Sequence, residues 1–288
     1  FNLVESKSEV YNMDYVNYRD DVIQKKEKEL KFLKYFSTRD YEVIDMSFIE
    51  KLHWKQLTQD DLNSLDTRSI WKNGDAFYSL RNDWTDQIQH YSREYHLDAR
   101  SVTYAGPIAI NEHIYTNLGV EIFNPKRNDM LQCYEYIHDF IQNELDLNVD
   151  FAVIGHYQLF DLLLSKEEQN EELFTAISER NISKISKLLS QNHSLVQLLK
   201  TPTHQQLDFL TTFADTDHPT YKSLLYWKAT LEASGINHIH LDITTMPPKS
   251  YYVGSFIQLY ENNNRNPIAS GGHYNGTLEG FGFGIQLS

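Results

Sequence analysis

The glycines of this chain constrain its fold more than any other residue. Half of the 12 lie at or beyond Gly271, and three of these, Gly280, Gly282 and Gly284, fall two apart with Phe281 and Phe283 between them. A strand alternates its faces, so the pattern predicts three bare positions on one side and two aromatic rings on the other. Glycine weakens a strand unless another group must approach its backbone closely. The plainer expectation, which spacing alone favours, is a tight sheet-to-helix contact; the other is the floor of a ligand cleft. A dinucleotide fingerprint is not expected, because that motif opens a helix and the sequence given runs only to Ser288.

Between Gly155 and Gly235 glycine is absent. Leu173 with Ile177, Ile185 with Leu188 and Leu189, and Leu195 with Leu198 and Leu199 follow helical spacing, with breaks expected near Pro202 and Pro219. Strand composition surrounds this block, at Tyr41–Asp45, Phe77–Leu80, Ser101–Gly106, Gly119–Phe123, Phe151–Gly155, Ile236–Ile243 and Tyr251–Tyr260. Two further helices are expected. One spans about Asp14 to Phe36, with Val22, Ile23, Leu30 and Leu33 on its period. The other carries Met130, Tyr134, Ile137, Ile141 and Leu145 and is capped by Asn128 or Asp129. Strands that resume after a helical excursion imply an α+β fold with a mostly antiparallel sheet. The expected division is a core of residues 1–164 and 235–288 and an inserted helical subdomain of residues 165–234.

At 41% hydrophobic and 13% aromatic, 288 residues can bury a substantial core, and a formal charge of -14 argues against a nucleic-acid footprint. No apolar run approaches membrane-spanning length. The lone Cys133 excludes an internal disulfide and fits a reducing cytoplasm. Phe1 is not an initiator, so an upstream segment is expected; Phe1 to Glu5 does not read as a secretion signal.

Chemistry-bearing residues are scattered. His238, His240 and Asp242 would share one face of a strand, a spacing more in keeping with a polar strand face than with a metal site. Asp83 and Thr85 would alternate onto one side of an extended segment, where a carboxylate beside a hydroxyl suits a bound ammonium group; the alternative is a local turn or cap. Tyr251 and Tyr252 read first as packing residues. No P-loop, paired-cysteine motif or nucleophile elbow occurs, and no metal or cofactor is expected.

Taken in order, these segments resemble histidyl-tRNA synthetase over most of the chain. Leu80 to Thr85 is similar to its "RPEGT" segment, Tyr104 to Glu112 to class II motif 2, and Asn117 to Glu121 to the strand that follows. Ile154 to Phe160 is similar to "LGHxxLF", Tyr251 to Gly254 to "YYTG", Gly271 to Gly276 to "GGRYDG", and Gly280 to Gly284 to motif 3. The resemblance implies a class II synthetase-like antiparallel sheet flanked by helices, with a helical insertion. It also implies a histidine pocket: Asp83 and Thr85 at the amino group, Asn117 where glutamine is usual, Glu121 at the imidazole, and Tyr251 and Tyr252 beside it. A carboxylate facing imidazole gives a charge-assisted hydrogen bond.

The departures carry the functional expectation. Ile110 and Leu287 stand where motifs 2 and 3 carry arginine, Met46 stands at the motif 1 proline, and Pro247, Pro248 and Lys249 occupy the neighbourhood of a third arginine. One lost charge clamp typically costs about 2.7–4 kcal/mol of transition-state stabilisation. With two missing and no anticodon-binding domain in the sequence given, aminoacylation is not expected. Such a chain resembles the regulatory subunits of ATP phosphoribosyltransferase, the first enzyme of histidine biosynthesis. That resemblance implies a non-catalytic, cytoplasmic subunit of a hetero-octamer that activates a short-form catalytic subunit and takes part in L-histidine feedback. The alternative is a degenerate synthetase paralogue with residual amino-acid activation, or a tRNA- or histidine-sensing role, for which Arg81 and Lys249 are the nearby cations.

Overall fold

The computed structural model describes residues 19–53, 57–111 and 113–287. The chain runs α1 (Arg19–Ser37), β1 (Glu42–Val43), β2 (Ile49–Leu52), α2 (Gln59–Asn63), β3 (Ile70–Asn73), β4 (Ala76–Leu80), α3 (Trp84–Glu94), β5 (Ser101–Ile110), β6 (His113–Phe123) and α4 (Arg127–Asp139). It continues with β7 (Phe151–His156), α5 (Leu159–Leu163), α6 (Glu171–Ser178), α7 (Ile182–Leu189), α8 (Ser194–Lys200), α9 (Gln206–Leu210) and α10 (Pro219–Ala233). Strands β8 (Ile239–Leu241), β9 (Tyr252–Tyr260), β10 (Ala269–Asn275) and β11 (Glu279–Leu287) close it. Eight strands form one sheet in the order β1-β5-β6-β11-β10-β9-β7-β8, and β2, β4 and β3 form a small second sheet. Among the described residues, β1 with β5 and β7 with β8 are the parallel pairs of the large sheet. The expected α+β architecture with a mostly antiparallel sheet is therefore what forms; the small sheet carries Phe77–Leu80 and was not foreseen as a separate unit.

The glycine strand β11 lies centrally and shows why its sequence alternates. Phe281, Phe283 and Ile285 enter the main core with Leu118, Val120 and Ile122 of β6. There Trp227 of α10 stacks on Phe281 with ring centroids 5.5 Å apart, and Tyr134 of α4 lies beside Phe283. Burying such rings is worth about 1.5–3 kcal/mol each. The opposite face carries Glu121 across from Gly282 and Asn117 across from Gln286. The sheet thus has a greasy side under the long helices and a stripped side facing the short helix α3.

Two helix expectations change in detail. In α1, Phe32, Tyr35 and Phe36 make the buried stripe, whereas Val22, Ile23 and Leu30 are exposed. Bulkier aromatic rings near the C-terminal end reach the core against Phe140, and the aliphatic period does not. Residues 14–18 of the expected helix lie outside the described residues. Helix α4 is capped two residues before the nearer expected cap, Asn128: Lys126 is the N-cap, and its backbone N–H donates to the Asp129 carboxylate at 2.9 Å. Tyr134, Ile137 and Ile141 are fully buried as their spacing required, and a single π turn over Phe140–Glu144 carries the helix on to Leu145. The helical block from α6 to α10 packs Leu173, Ile177, Leu195, Leu198, Leu224 and Leu231 into the same core as the sheet.

Candidate functional site

A cavity of about 1220 Å³ spans the stripped face of the sheet and extends round it to Lys25 and Lys28 of α1 and to Leu145. Its floor includes Gly282, Gly284 and Gly272, and Asp83, Thr85, Tyr104, Asn117, Glu121, Tyr252 and Tyr274 stand around it. The row of glycines is therefore not a sheet-to-helix contact. A Cβ on Gly282 would lie 2.0 Å from Glu121 Oε2, and one on Gly280 would lie 2.2 Å from the Tyr274 ring. The bare positions are filled by side chains that neighbouring strands lay across them, and this lets polar groups sit flat on the sheet.

Glu121 is the chemical centre of this face. It is 3% exposed, and Oε1 accepts hydrogen bonds from Thr85 Oγ1 at 2.6 Å and from Tyr104 OH at 3.1 Å. Oε2 and the Tyr274 hydroxyl close to it make no well-formed hydrogen bond. Burial raises the Glu121 carboxyl from 4.5 to about 7, against the opposing pull of the Thr85, Tyr104 and Tyr274 hydroxyls, and the Asp83 charge adds to the rise. Near neutral pH the group can therefore both accept and donate a proton. Tyr104 is held by stacking on Trp84, centroids 4.4 Å apart.

Asp83 and Thr85 reach the cavity by a route different from the one expected. The segment is not extended: Asp83 is the N-cap of α3, its Oδ1 accepting from Asp86 N–H at 2.7 Å, and Thr85 sits in the first turn. Capping spends one Asp83 oxygen on the helix. Burial and the neighbouring Asp86 charge raise the Asp83 carboxyl.

Tyr251 and Tyr252 part company. Tyr252 lines the main cavity, while Tyr251 lines a second one of about 220 Å³ with Asp86, Gln89 and Ser250. Its hydroxyl points to Asp86 Oδ1 at 3.4 Å. Asp86 is a buried hub: Arg68 donates to one oxygen and Lys249 approaches the other at 3.4 Å. Asp61 and His90 form a second ion pair nearby at 2.9 Å. Asp61, Asp86 and His90 are close enough to share a metal, but Arg68, Lys249 and the imidazole already balance the two carboxylates.

Neither sequence-proposed cation serves the cavity. Arg81 is 1% exposed and donates to Pro107 O, Met46 O and Gln87 Oε1, with its guanidinium 3.4 Å from the Trp84 ring centroid. Burial lowers it to about 10. Lys249 is committed to Asp86. Leu287, paired with Thr116, lines the cavity, and Ile110 closes the β5–β6 hairpin opposite His113; Glu112 between them lies outside the described residues. The strand expected to carry His238, His240 and Asp242 is only three residues long, Ile239–Leu241, and holds His240 alone of them; Asp242 accepts from Thr244 and Thr245, which makes it a turn-former. Sequence reasoning missed Tyr104, Tyr274 and Trp84. Tyr274 had a usable signal, since it follows Gly272 by two and shares its face.

A family model described as histidyl-tRNA synthetase matches residues 19–286. The chain is 42% identical over 272 residues to the ATP phosphoribosyltransferase regulatory subunit of Staphylococcus aureus (strain MRSA252), covering 94% of this chain and 100% of that one. It superposes with a TM-score of 0.71 on an ATP phosphoribosyltransferase regulatory subunit/histidyl-tRNA synthetase from Bacillus halodurans, at 17% identity over 93% of this chain and 78% of that one. A chain of the ATP phosphoribosyl transferase (HisG:HisZ) complex from Thermotoga maritima also superposes at 0.71, with 19% identity over 92% of this chain and 97% of that one. These likenesses agree with the order of motifs along the sequence and with the cavity built on them, and the chain belongs to the ATP phosphoribosyltransferase regulatory subunit family, on the histidyl-tRNA synthetase fold.

Proposed function

We propose that this chain is a non-catalytic regulatory subunit of ATP phosphoribosyltransferase, activating a catalytic partner at the first step of histidine biosynthesis. The observation that carries the reading is the unequal survival of the cavity. Its amino-side and ring-side groups, Asp83, Thr85 and Glu121, face the space, while Leu287 and Ile110 are aliphatic at the positions where a synthetase clamps phosphate. Without those charges the developing negative charge of adenylation has no stabiliser, so a bound amino acid is held and not activated.

The finer parts of the reading are a pocket of Asp83, Thr85, Asn117, Glu121, Tyr251 and Tyr252 that senses L-histidine, a hetero-octamer with a short-form catalytic subunit, and a cytoplasmic location. Tyr251 would act from behind, by fixing Asp86 at the start of α3. We propose as well that residues 165–234 are an insertion into a synthetase-like core of residues 1–164 and 235–288. No helix among the described residues is long and apolar enough to cross a membrane.

The test is a pair of assays on the purified chain. Histidine-dependent pyrophosphate exchange should be absent, and phosphoribosyltransferase activity should rise when the chain is mixed with the catalytic subunit. Absence of activation in that mixture defeats the reading; exchange above background restores the degenerate-synthetase alternative.

A further inference from the structure

The Glu121 end of the cavity has an unusual balance of charge. Two carboxylates, Asp83 and Glu121, face it, and Trp84, Tyr104, Tyr252 and Tyr274 supply aromatic walls. Aromatic faces and carboxylates both attract cations. Among the described residues, the basic side chains that line any part of the cavity are Lys25 and Lys28, both on α1. Helix α1 packs Phe32, Tyr35 and Phe36 among Val120 and Ile122, on the side of the sheet away from Glu121.

Each other cation that could hold a ligand carboxylate here is already engaged, and the donors Asn117 and Tyr252 in the lining are neutral. Arg81 is bonded to Pro107 O, Met46 O and Gln87. Arg68 and Lys249 are on Asp86. The N-terminus of α3, a natural anion site, is capped by the Asp83 carboxylate. Thr85 donates its proton to Glu121. Glu121 Oε2 offers acceptor capacity, for it lacks a well-formed hydrogen bond although the residue is 3% exposed. The Tyr274 hydroxyl beside it, on a residue 1% exposed, is a neutral donor that is poorly aligned to it. A ligand carboxylate placed here would be desolvated beside two carboxyl groups with no cation to meet it.

We propose that this end of the cavity selects organic cations over zwitterions: it takes a flat ring bearing an ammonium group, and binds best the ligand whose carboxylate is absent or neutralised. The proposal rests on the reading of the cavity as a histidine-type pocket and sharpens it. Ring and ammonium are recognised; the acid group is a liability. A histidine-sensing role would then require the carboxylate to be met by a group from outside this face, such as one that a partner subunit supplies.

The experiment is calorimetric titration of the full chain near neutral pH with L-histidine, L-histidinamide and histamine, repeated on Glu121→Gln. The amide and the amine should bind roughly tenfold or more tighter than the amino acid. Glu121→Gln should weaken all three by a similar factor while leaving the circular dichroism melt cooperative. Histidine binding as tightly as its amide would overturn the proposal and leave the pocket reading standing. Failure of all three to bind overturns both, and so does undiminished binding to the Gln variant, which would put the ligand elsewhere.

Discussion

Two buried carboxylates meet the first turn of α3, Asp86 as part of it and Glu121 across from it through Thr85, and have opposite fates. Asp86 is 2% exposed and is held by Arg68, Lys249 and the Tyr251 hydroxyl. Glu121 is 3% exposed and meets neutral hydroxyls among the described residues, those of Thr85 and Tyr104 and, less well aligned, Tyr274. Both lost comparable hydration on folding, but only Asp86 regained it as ion pairing. The first carboxylate is therefore structural, locking β9 and the segment before it to α3. The second keeps an unmet demand for positive charge, which is what the proposed pocket needs. Burial alone does not distinguish a structural group from a recognition group; the charge of its partners does.

The contrast is most easily broken at Asp86. Asp86→Ala leaves Arg68 buried without its counter-charge and should cost about 3–5 kcal/mol in urea denaturation. Glu121→Gln strands no charge and should leave the chain at least as stable near pH 8. A loss there comparable to that of Asp86→Ala would erase the distinction.

The pH dependence follows from the same asymmetry. The folded Glu121 carboxyl is raised from 4.5 to about 7, so the folded chain holds this proton more tightly than the unfolded one. Stability from this group is therefore greatest below about pH 4.5 and falls as pH rises toward 7, by about 3 kcal/mol at most. The difference between parent and Glu121→Gln urea midpoints, measured as a pH series, should change across that window; a flat difference would mean that Glu121 is as well solvated as a surface carboxyl.

Gly282→Ala sharpens the comparison from the sheet. Its Cβ would meet Glu121 Oε2 at 2.0 Å and Val120 O at 2.5 Å, so backbone must move as well as side chain. A destabilisation of about 1–3 kcal/mol is expected, with ligand binding lost. Retention of both would show that the glycine strand does not set the cavity floor. The smallest effect belongs to Lys249→Met. The 3.4 Å contact is long and Arg68 remains, so about 1 kcal/mol or less is expected, with no change in ligand affinity. A drop in affinity would place this ammonium in the cavity after all.

Much of this could be read from the sequence because it depends on periods and on missing atoms. The alternation in Gly280–Gly284 dictated a strand with one bare face, the four-three-four-four spacing from Met130 dictated α4, and the glycine-free stretch dictated helices. Met130, Tyr134, Ile137, Ile141 and Leu145 could be assigned to one face without knowing what they touch. The roles of polar residues were harder, because a carboxylate or a guanidinium is defined by its partners. Asp83 reads as a ligand-binding residue in an extended segment, yet it also caps a helix, which only the start of α3 reveals. Arg81 and Lys249 read as free cations until Pro107, Met46 and Asp86, distant in sequence, come to meet them. Tyr251 and Tyr252 are adjacent and face different cavities.

The sequence by itself determined the alternating strands, the helical block, the absence of arginine at residues 110 and 287, and hence that a synthetase-like cleft here lacks its phosphate clamps. Those are properties of local pattern and residue identity, and no folding can add a charge that the chain does not place there. Only the tertiary structure decided which buried carboxylate is neutralised and which stays available. That choice depends on distances between residues up to 163 positions apart, Lys249 and Asp86 among them, and Coulomb energies are set by those distances and by the water excluded from between them.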